Sequence, residues 1–250
     1  MDDEIRIDRQ GPLAIVNLNR PARRNALGAA GTAALMTAFE TLAADPDCRA
    51  IVLTGAPPAF CAGSDLKELG ALDVPEMCRH EAETARMARR IALLPIPVVA
   101  AVEGYALGGG MILALSCDVV VTARGARWNL PEVPNGWLPP WGLQALLARV
   151  GPVRARLLTW GVTEVDGAEA LRLGLADVLA EDGTALAEAQ RLAERLAALP
   201  ANAVRSTKRY FEPFATADAE RQDAEASRVF AADASCEASQ ATMARFAVKS

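Results

Sequence analysis

The chain has 250 residues, 52% of them hydrophobic, and a formal charge of -5. That length suits one large α/β domain or a domain with a small appendage, and the mild acidity argues against the basic footprint of a nucleic-acid binder. One histidine, five scattered cysteines without CxxC spacing and no apolar run of about 18 residues leave a metal site, a disulfide framework and a membrane span without support. The acidic start, "MDDEIRIDRQ", has no apolar signal region, so reduced thiols and a cytoplasmic location are expected.

In chain order, "EIRIDRQGPLAIVNLNR" predicts two strands around a turn at Gly11 and Pro12. Asn25 to about Ala44 predicts a helix with Leu27, Gly31, Leu35, Ala38 and Leu42 on one face. "RAIVLTG" is a continuous apolar run, as in a strand covered on both faces, and Pro57 and Pro58 enforce a loop after it. "DVPEMCRHEAETARMARRIALL" predicts a long helix starting near Asp73 and Pro75. His80 falls within it and reads as part of a solvated face. "IPVVAAVEG" and "DVVVTAR" are further buried strands, separated by a helix after Gly110. From about Pro139 the pattern is mostly helical. "TALAEAQRLAERLAALP" places Leu192, Leu196 and Leu199 on one stripe, and the last fifty residues carry no strand signal. The pattern implies an α/β architecture. Two units are expected: a core over 1–199 and a C-terminal helical region over 200–250.

Two stretches carry chemistry. In "EGYALGGGMILALSCD" three glycines stand at the start of an apolar helix, although glycine loses the most backbone entropy on folding. The first N–H groups of a helix have no intrahelical partner and sit at its positive end. Glycine there lets a ligand oxygen reach bare backbone, although tight helix–strand packing explains the same letters. "PPAFCAGSDLKEL" repeats the arrangement, with a strand running into small residues and then a helix near Asp65. Two such loops aimed at one atom make an oxyanion hole, worth about 3–4 kcal/mol of transition-state stabilisation per donor.

These segments, with "LNRPARRNAL", "LPEVPNGWLP" and "LRLGLADVL" (read as helical), resemble the crotonase superfamily, the enoyl-CoA hydratase/isomerase group, along nearly the whole chain. The resemblance implies a spiral of ββα units with C-terminal helices that close the site and assemble homotrimers or hexamers. It also implies an acyl-CoA thioester substrate, coenzyme A being part of that substrate and no separate cofactor being needed. By motif, the hole uses the N–H groups of Ser64 and Gly109. Lys67, Arg23, Arg24 and Lys208 are carried over as coenzyme A contacts, and the Ala62 carbonyl as an adenine contact. Lys67, Arg23 and Arg24 read equally well as solvated surface charges.

The acid–base groups depart from the hydratase pattern. Family hydratases place one glutamate two residues after the triple glycine, where this chain has Ile112, and another in the later "PE", which is Glu132 here. Apolar neighbours would raise the Glu132 pKa toward that of a general base; a turn-capping role is the structural alternative. Glu103 is a weaker candidate, and Asp65 and Asp118 read as structural hydrogen-bonding groups. "LPPWGLQAL" replaces a glycine-rich loop that borders the water site of hydratases. Trp137 and Trp141 would fill that space, or serve as core or trimer-contact aromatics. One carboxylate without water favours double-bond isomerisation. A hydratase or other lyase is the alternative, and a catalytically weak acyl-CoA-binding protein is the reading from another class.

Overall fold

The computed structural model describes residues 4–247. In chain order the elements are β1 (Ile5–Gln10), β2 (Leu13–Leu18), a 3-10 turn (Pro21–Arg23), α1 (Ala29–Ala44), β3 (Ala50–Gly55), α2 (Leu66–Leu69), α3 (Val74–Leu93), β4 (Val98–Val102), β5 (Tyr105–Leu107), α4 (Gly109–Leu115), β6 (Val119–Ala123) and β7 (Arg127–Asn129). They continue with α5 (Glu132–Asn135), α6 (Leu143–Thr159), β8 (Val165–Asp166), α7 (Gly167–Leu173), β9 (Val178–Ala180), α8 (Ala185–Ala197), α9 (Ala201–Thr216), α10 (Ala219–Ala234) and α11 (Glu237–Ala247). No helix among the described residues is long and apolar enough to cross a membrane.

Six strands form the main sheet in the order β1-β2-β3-β4-β6-β9. β1 and β2 are an antiparallel hairpin, and every later pair is parallel. The apolar runs of β3 and β4 are fully buried, as strands covered on both faces must be. A smaller sheet, β5-β7-β8, stands beside it. This is the expected α/β class with C-terminal helices. Parallel strands put the loops after β3 and β4 at one end of the sheet, the end where open α/β sheets bind ligands.

Several local readings shift. The first helix begins at Ala29, not Asn25. Asn25 is buried with φ +56°, and its side-chain amide donates to the carbonyls of Ala56 (2.8 Å) and Ala59 (2.6 Å). It therefore pins the loop after β3 instead of opening a helix. In "LRLGLADVL" the helix stops at Leu173 and the chain re-enters the sheet as β9. On α8 the fully buried stripe is Ala185, Ala189, Ala193 and Ala197, and Leu199 is exposed. Alanine lets α8 lie close on β3, β4 and β6, while Leu192 and Leu196 pack at the edge of that contact. His80 is half-buried with its Nε2 covered, not a solvated residue. α3 begins at the expected place because Asp73 and Glu76 form a reciprocal capping box.

Backbone contact locks the loops after β3 and β4 together. Cys61 N donates to the Tyr105 carbonyl (3.0 Å) and Leu107 N to the Cys61 carbonyl (3.0 Å). A Cβ on Gly110 would lie 2.2 Å from that carbonyl oxygen and 2.7 Å from its carbon. Neither atom is the end of a flexible side chain, so nothing can yield cheaply. Gly110→Ala is expected to destabilise the fold by about 3 kcal/mol or more, at the upper end of overpacking costs. Urea unfolding followed by circular dichroism measures it; a loss within about 0.5 kcal/mol of zero, the range of ordinary surface substitutions, would contradict the interlock.

Candidate active site

The cavity at this end of the sheet is small, about 50 Å³, and is lined by the two loops together with α3, α5 and the segment Trp137–Trp141. Phe230 of α10 and Met243 of α11 complete its wall. Ser64, Gly109, Glu132, Ile112, Trp137, Trp141 and Ala62 all line it, so the structure brings most of the sequence-derived candidates together.

Ser64 follows Gly63, which has φ +88°, a region that favours glycine. A Cβ on Gly63 would lie 3.0 Å from Gly109 N, so the two loops approach backbone to backbone beside the two candidate donors. The carbonyl and amide on either side of Ser64 are taken: Gly63 O accepts from Leu27 N and Asp65 N donates to Leu27 O. Among the described residues, neither Ser64 N–H nor Gly109 N–H meets an acceptor. Gly109 opens α4, and an unpartnered N–H is the normal condition of a first helical residue. The pair is thus free to bind an oxygen from a ligand.

Each glycine of the triplet has its own reason. Gly108 has φ +54°, and a Cβ there would lie 2.6 Å from Glu132 Oε1. Gly109 offers its N–H and has Trp141 Cζ2 2.9 Å from where its Cβ would be, and Gly110 meets Cys61. Bare backbone therefore serves the carboxyl, the donor and the interlock in turn.

Glu132 begins the short helix α5 after Pro131. Its Oε2 is covered and has no hydrogen-bond partner. Burial pushes its pKa up to about 8; its own backbone N–H opposes this, and the nearby Glu81 carboxyl adds to it. Among the described residues its own backbone N–H is the one donor it has, and Oε2 is left without a partner.

Glu81 is a site residue that sequence reasoning missed. It is only 3% exposed, projects from α3 into the same cavity, and accepts the Trp141 indole N–H at 2.6 Å. Burial raises its pKa, while hydrogen bonds with the Ser64 and Trp141 side chains oppose the rise. The only sequence signal was a glutamate on the otherwise apolar face of α3 that includes Met77, Thr84, Ala85 and Ala88.

Ile112, where the family resemblance expects a hydratase glutamate, lines the cavity, and its Cγ2 would lie 2.1 Å from a Cβ on Gly142. Trp137 packs edge-on against Phe230, with ring centroids 6.4 Å apart. The C-terminal helices hold this segment: Asp233 accepts from Leu138 N (3.0 Å) and Asp223 from Gly142 N (2.7 Å).

At the mouth, Ala62 N donates to the Arg24 carbonyl at 3.0 Å, and the Arg24 guanidinium lies 5.0 Å from the Tyr105 ring centroid. Arg23, Arg24 and Lys67 are exposed. Lys208 is not brought to this group. Its Nζ bonds Asp118 (2.6 Å) and the Ile96 carbonyl (2.9 Å), at the opposite ends of β4 and β6. There it lines a separate cavity of about 310 Å³, whose Arg149 is likewise paired, with Asp177. Within one chain Lys208 is a staple between α9 and the sheet. Glu103 also lies outside the cavity; it caps α8 by accepting from Gly183 N and Ala185 N. Asp65 caps α2 and pairs with Arg20, and Asp118 accepts from Val98 N, both in structural roles.

A model of the family described as enoyl-CoA hydratase/isomerase matches residues 8–250. The chain is 36% identical over 196 residues to the 2,3-dehydroadipyl-CoA hydratase of Escherichia coli, covering 78% of this chain and 76% of that protein. It is 32% identical over 204 residues to the short-chain-enoyl-CoA hydratase of Clostridium acetobutylicum, covering 81% and 78%. The crystal structure of an enoyl-CoA hydratase/isomerase from Mycobacterium paratuberculosis superposes with a TM-score of 0.89 at 30% identity, over 98% of this chain and 99% of that one. With two free backbone donors and a buried glutamate facing one cavity, the chain belongs to the enoyl-CoA hydratase/isomerase family of the crotonase superfamily.

Proposed function

We propose that the protein moves a double bond in an enoyl-CoA thioester, using Glu132 as the single proton carrier. The N–H groups of Ser64 and Gly109 take the thioester oxygen. The Glu132 carboxylate removes a proton from C2, the dienolate is held in the hole, and the same carboxyl returns the proton at C4. Nothing is consumed, and no added water is required. The observation that carries this reading is the unpartnered Oε2 of Glu132 beside two free donors, while Ile112 and Trp141 fill the space where a second base would hold water. Arg23, Arg24 and Lys67 at the mouth supply positive charge for the coenzyme A phosphates. The exposed rings of Tyr210, Phe211 and Phe214, packed on one another along α9, support assembly as a homotrimer or hexamer. Hydration or dehydration is the second reading. It is favoured by the names of the relatives and by Glu81, a second carboxyl in the cavity.

Incubating the protein with 3-hexenoyl-CoA in deuterated water is expected to yield 2-hexenoyl-CoA, with deuterium at C4 in turnovers where the Glu132 carboxyl exchanges with solvent before returning its proton. Glu132→Gln is expected to lower kcat by about 10²–10⁴, the usual worth of a positioned acid–base group, while acyl-CoA binding survives. Strong crotonyl-CoA hydration without isomerisation would favour the second reading; binding without any exchange would favour a carrier of acyl-CoA.

The base must be ionised to accept a proton. The kcat/KM for 3-hexenoyl-CoA is therefore expected to rise with pH and level off above about 8. A profile already flat from pH 5 upward would contradict this assignment.

Folding reports the same group. Its native pKa lies above its unfolded value, so between about 4.5 and about 8 the folded state binds more protons and stability falls as pH rises. Glutamine has no such loss. Glu132→Gln is expected to be more stable than the wild type, with a gap that widens from pH 5 to pH 8 to at least about 1.4 kcal/mol, the worth of one pKa unit. Thermal or urea unfolding at the two pH values measures it; a gap that does not change with pH would contradict burial of the ionising form.

A further inference from the structure

Two buried carboxyl groups face one cavity, and they differ in what they touch. Glu132 Oε2 has no partner, whereas the Glu81 carboxyl accepts the Trp141 indole N–H and faces Ser64 across the same cavity. An orphaned buried carboxyl is costly and available; a satisfied one is part of the scaffold. The two neighbours of Glu81 are the walls of the hole. Ser64 carries one donor, and Trp141 packs on Gly109, which carries the other. We propose that Glu81 is a positioning residue that fixes the separation of the two oxyanion donors, pressing Trp141 onto Gly109 with its hydrogen bond and backing the Ser64 side with its carboxyl. The inference rests on the reading that Ser64 and Gly109 polarise a thioester.

The element that carries Glu81 is suited to this task. α3 is fixed at its start by the Asp73–Glu76 capping box. Two turns beyond Glu81, Arg89 pairs with Asp223, whose other oxygen accepts the Gly142 amide. α3 thus grips both members of the Trp141–Gly142 step, one directly and one through Asp223. Ser64 of the loop after β3 faces the same helix across the cavity. A rigid helix that backs both loops holds a gap between two N–H groups better than either loop alone, and small errors in such a gap are costly because donors must meet the oxyanion at about 2.7–3.1 Å.

The test separates positioning from proton transfer. Glu81→Gln keeps an acceptor for the indole and a donor for Ser64 but cannot carry a proton. Glu81→Ala removes the indole bond and the carboxyl beside Ser64, and Trp141→Phe removes the indole bond while keeping a ring on Gly109. Infrared difference spectra of bound crotonyl-CoA, ¹³C-labelled at the thioester carbonyl, read the hole without requiring turnover. The wild type is expected to lower the carbonyl stretch; Glu81→Gln keeps that shift, Trp141→Phe reduces it and Glu81→Ala reduces it most. With 3-hexenoyl-CoA, kcat is expected to fall about 10–100-fold in Glu81→Ala, a fraction of the loss of a whole donor, with KM little changed and Glu81→Gln near wild type.

An undiminished carbonyl shift in Glu81→Ala overturns the proposal. So does a Glu81→Gln variant that keeps the shift but loses turnover as Glu132→Gln does, which would make Glu81 a proton carrier. A wild type that leaves the carbonyl stretch unmoved overturns the hole itself, a different failure with a different signature. Should Glu81→Ala not fold, Glu81→Gln and Trp141→Phe still decide between these outcomes.

Discussion

Gly110 meets the carbonyl of Cys61, and no side chain fits between them. That contact sets the rest of the site. It brings the loop after β3 against the loop after β4, where the Cys61–Tyr105 and Cys61–Leu107 hydrogen bonds zip them together. With the loops so joined, Gly63 comes within contact distance of Gly109, and two N–H groups without acceptors are left facing one small cavity. Backbone donors survive every substitution except proline and need little reorganisation when charge develops on a bound oxygen. The architecture spends conformational entropy on glycine to obtain them.

A fixed pair of donors also explains why an unpaired carboxyl can persist nearby. Burying Glu132 without a partner costs stability, and the raised pKa records that cost. The main core, built on the fully buried strands β3 and β4, reaches this cavity through Ile112 and Trp141 and supplies the stability against which that cost is set. Glu81 shows the other solution to the same problem. Its carboxyl is equally dry but hydrogen-bonded, so it can hold neighbours in place without exposing an unmet acceptor.

How much of this was legible follows from how local each constraint is. The two loops, the triple glycine and Glu132 could be read because their reasons lie within a few residues: a strand end, a helix start, a proline-flanked glutamate. Glu81 could not, because its partners are 17 and 60 positions away and only the fold joins them. Lys208 misled for the same reason; its pairing with Asp118 arises from α9 crossing the starts of β4 and β6. The stripe on α8 was read as leucine because hydrophobicity favours the larger side chain, while the close approach to the sheet selects alanine. β5, β7, β8 and β9 have only two or three residues each, too few for a period to register.

Isoleucine at position 112 shapes the wall of the cavity as well as lacking a carboxyl. The Ile112 side chain presses toward Gly142. Water there would need about two to four polar partners. Among the groups lining this part of the wall, Ile112, Pro139, Pro140 and the rings of Trp137 and Trp141 offer mostly carbon. The indole N–H that could have served is already bound to Glu81. One substitution and one hydrogen bond thus act together. The first leaves no carboxyl at that position and the second occupies a donor on the same wall, and both support the proposed movement of a proton along the acyl chain by Glu132.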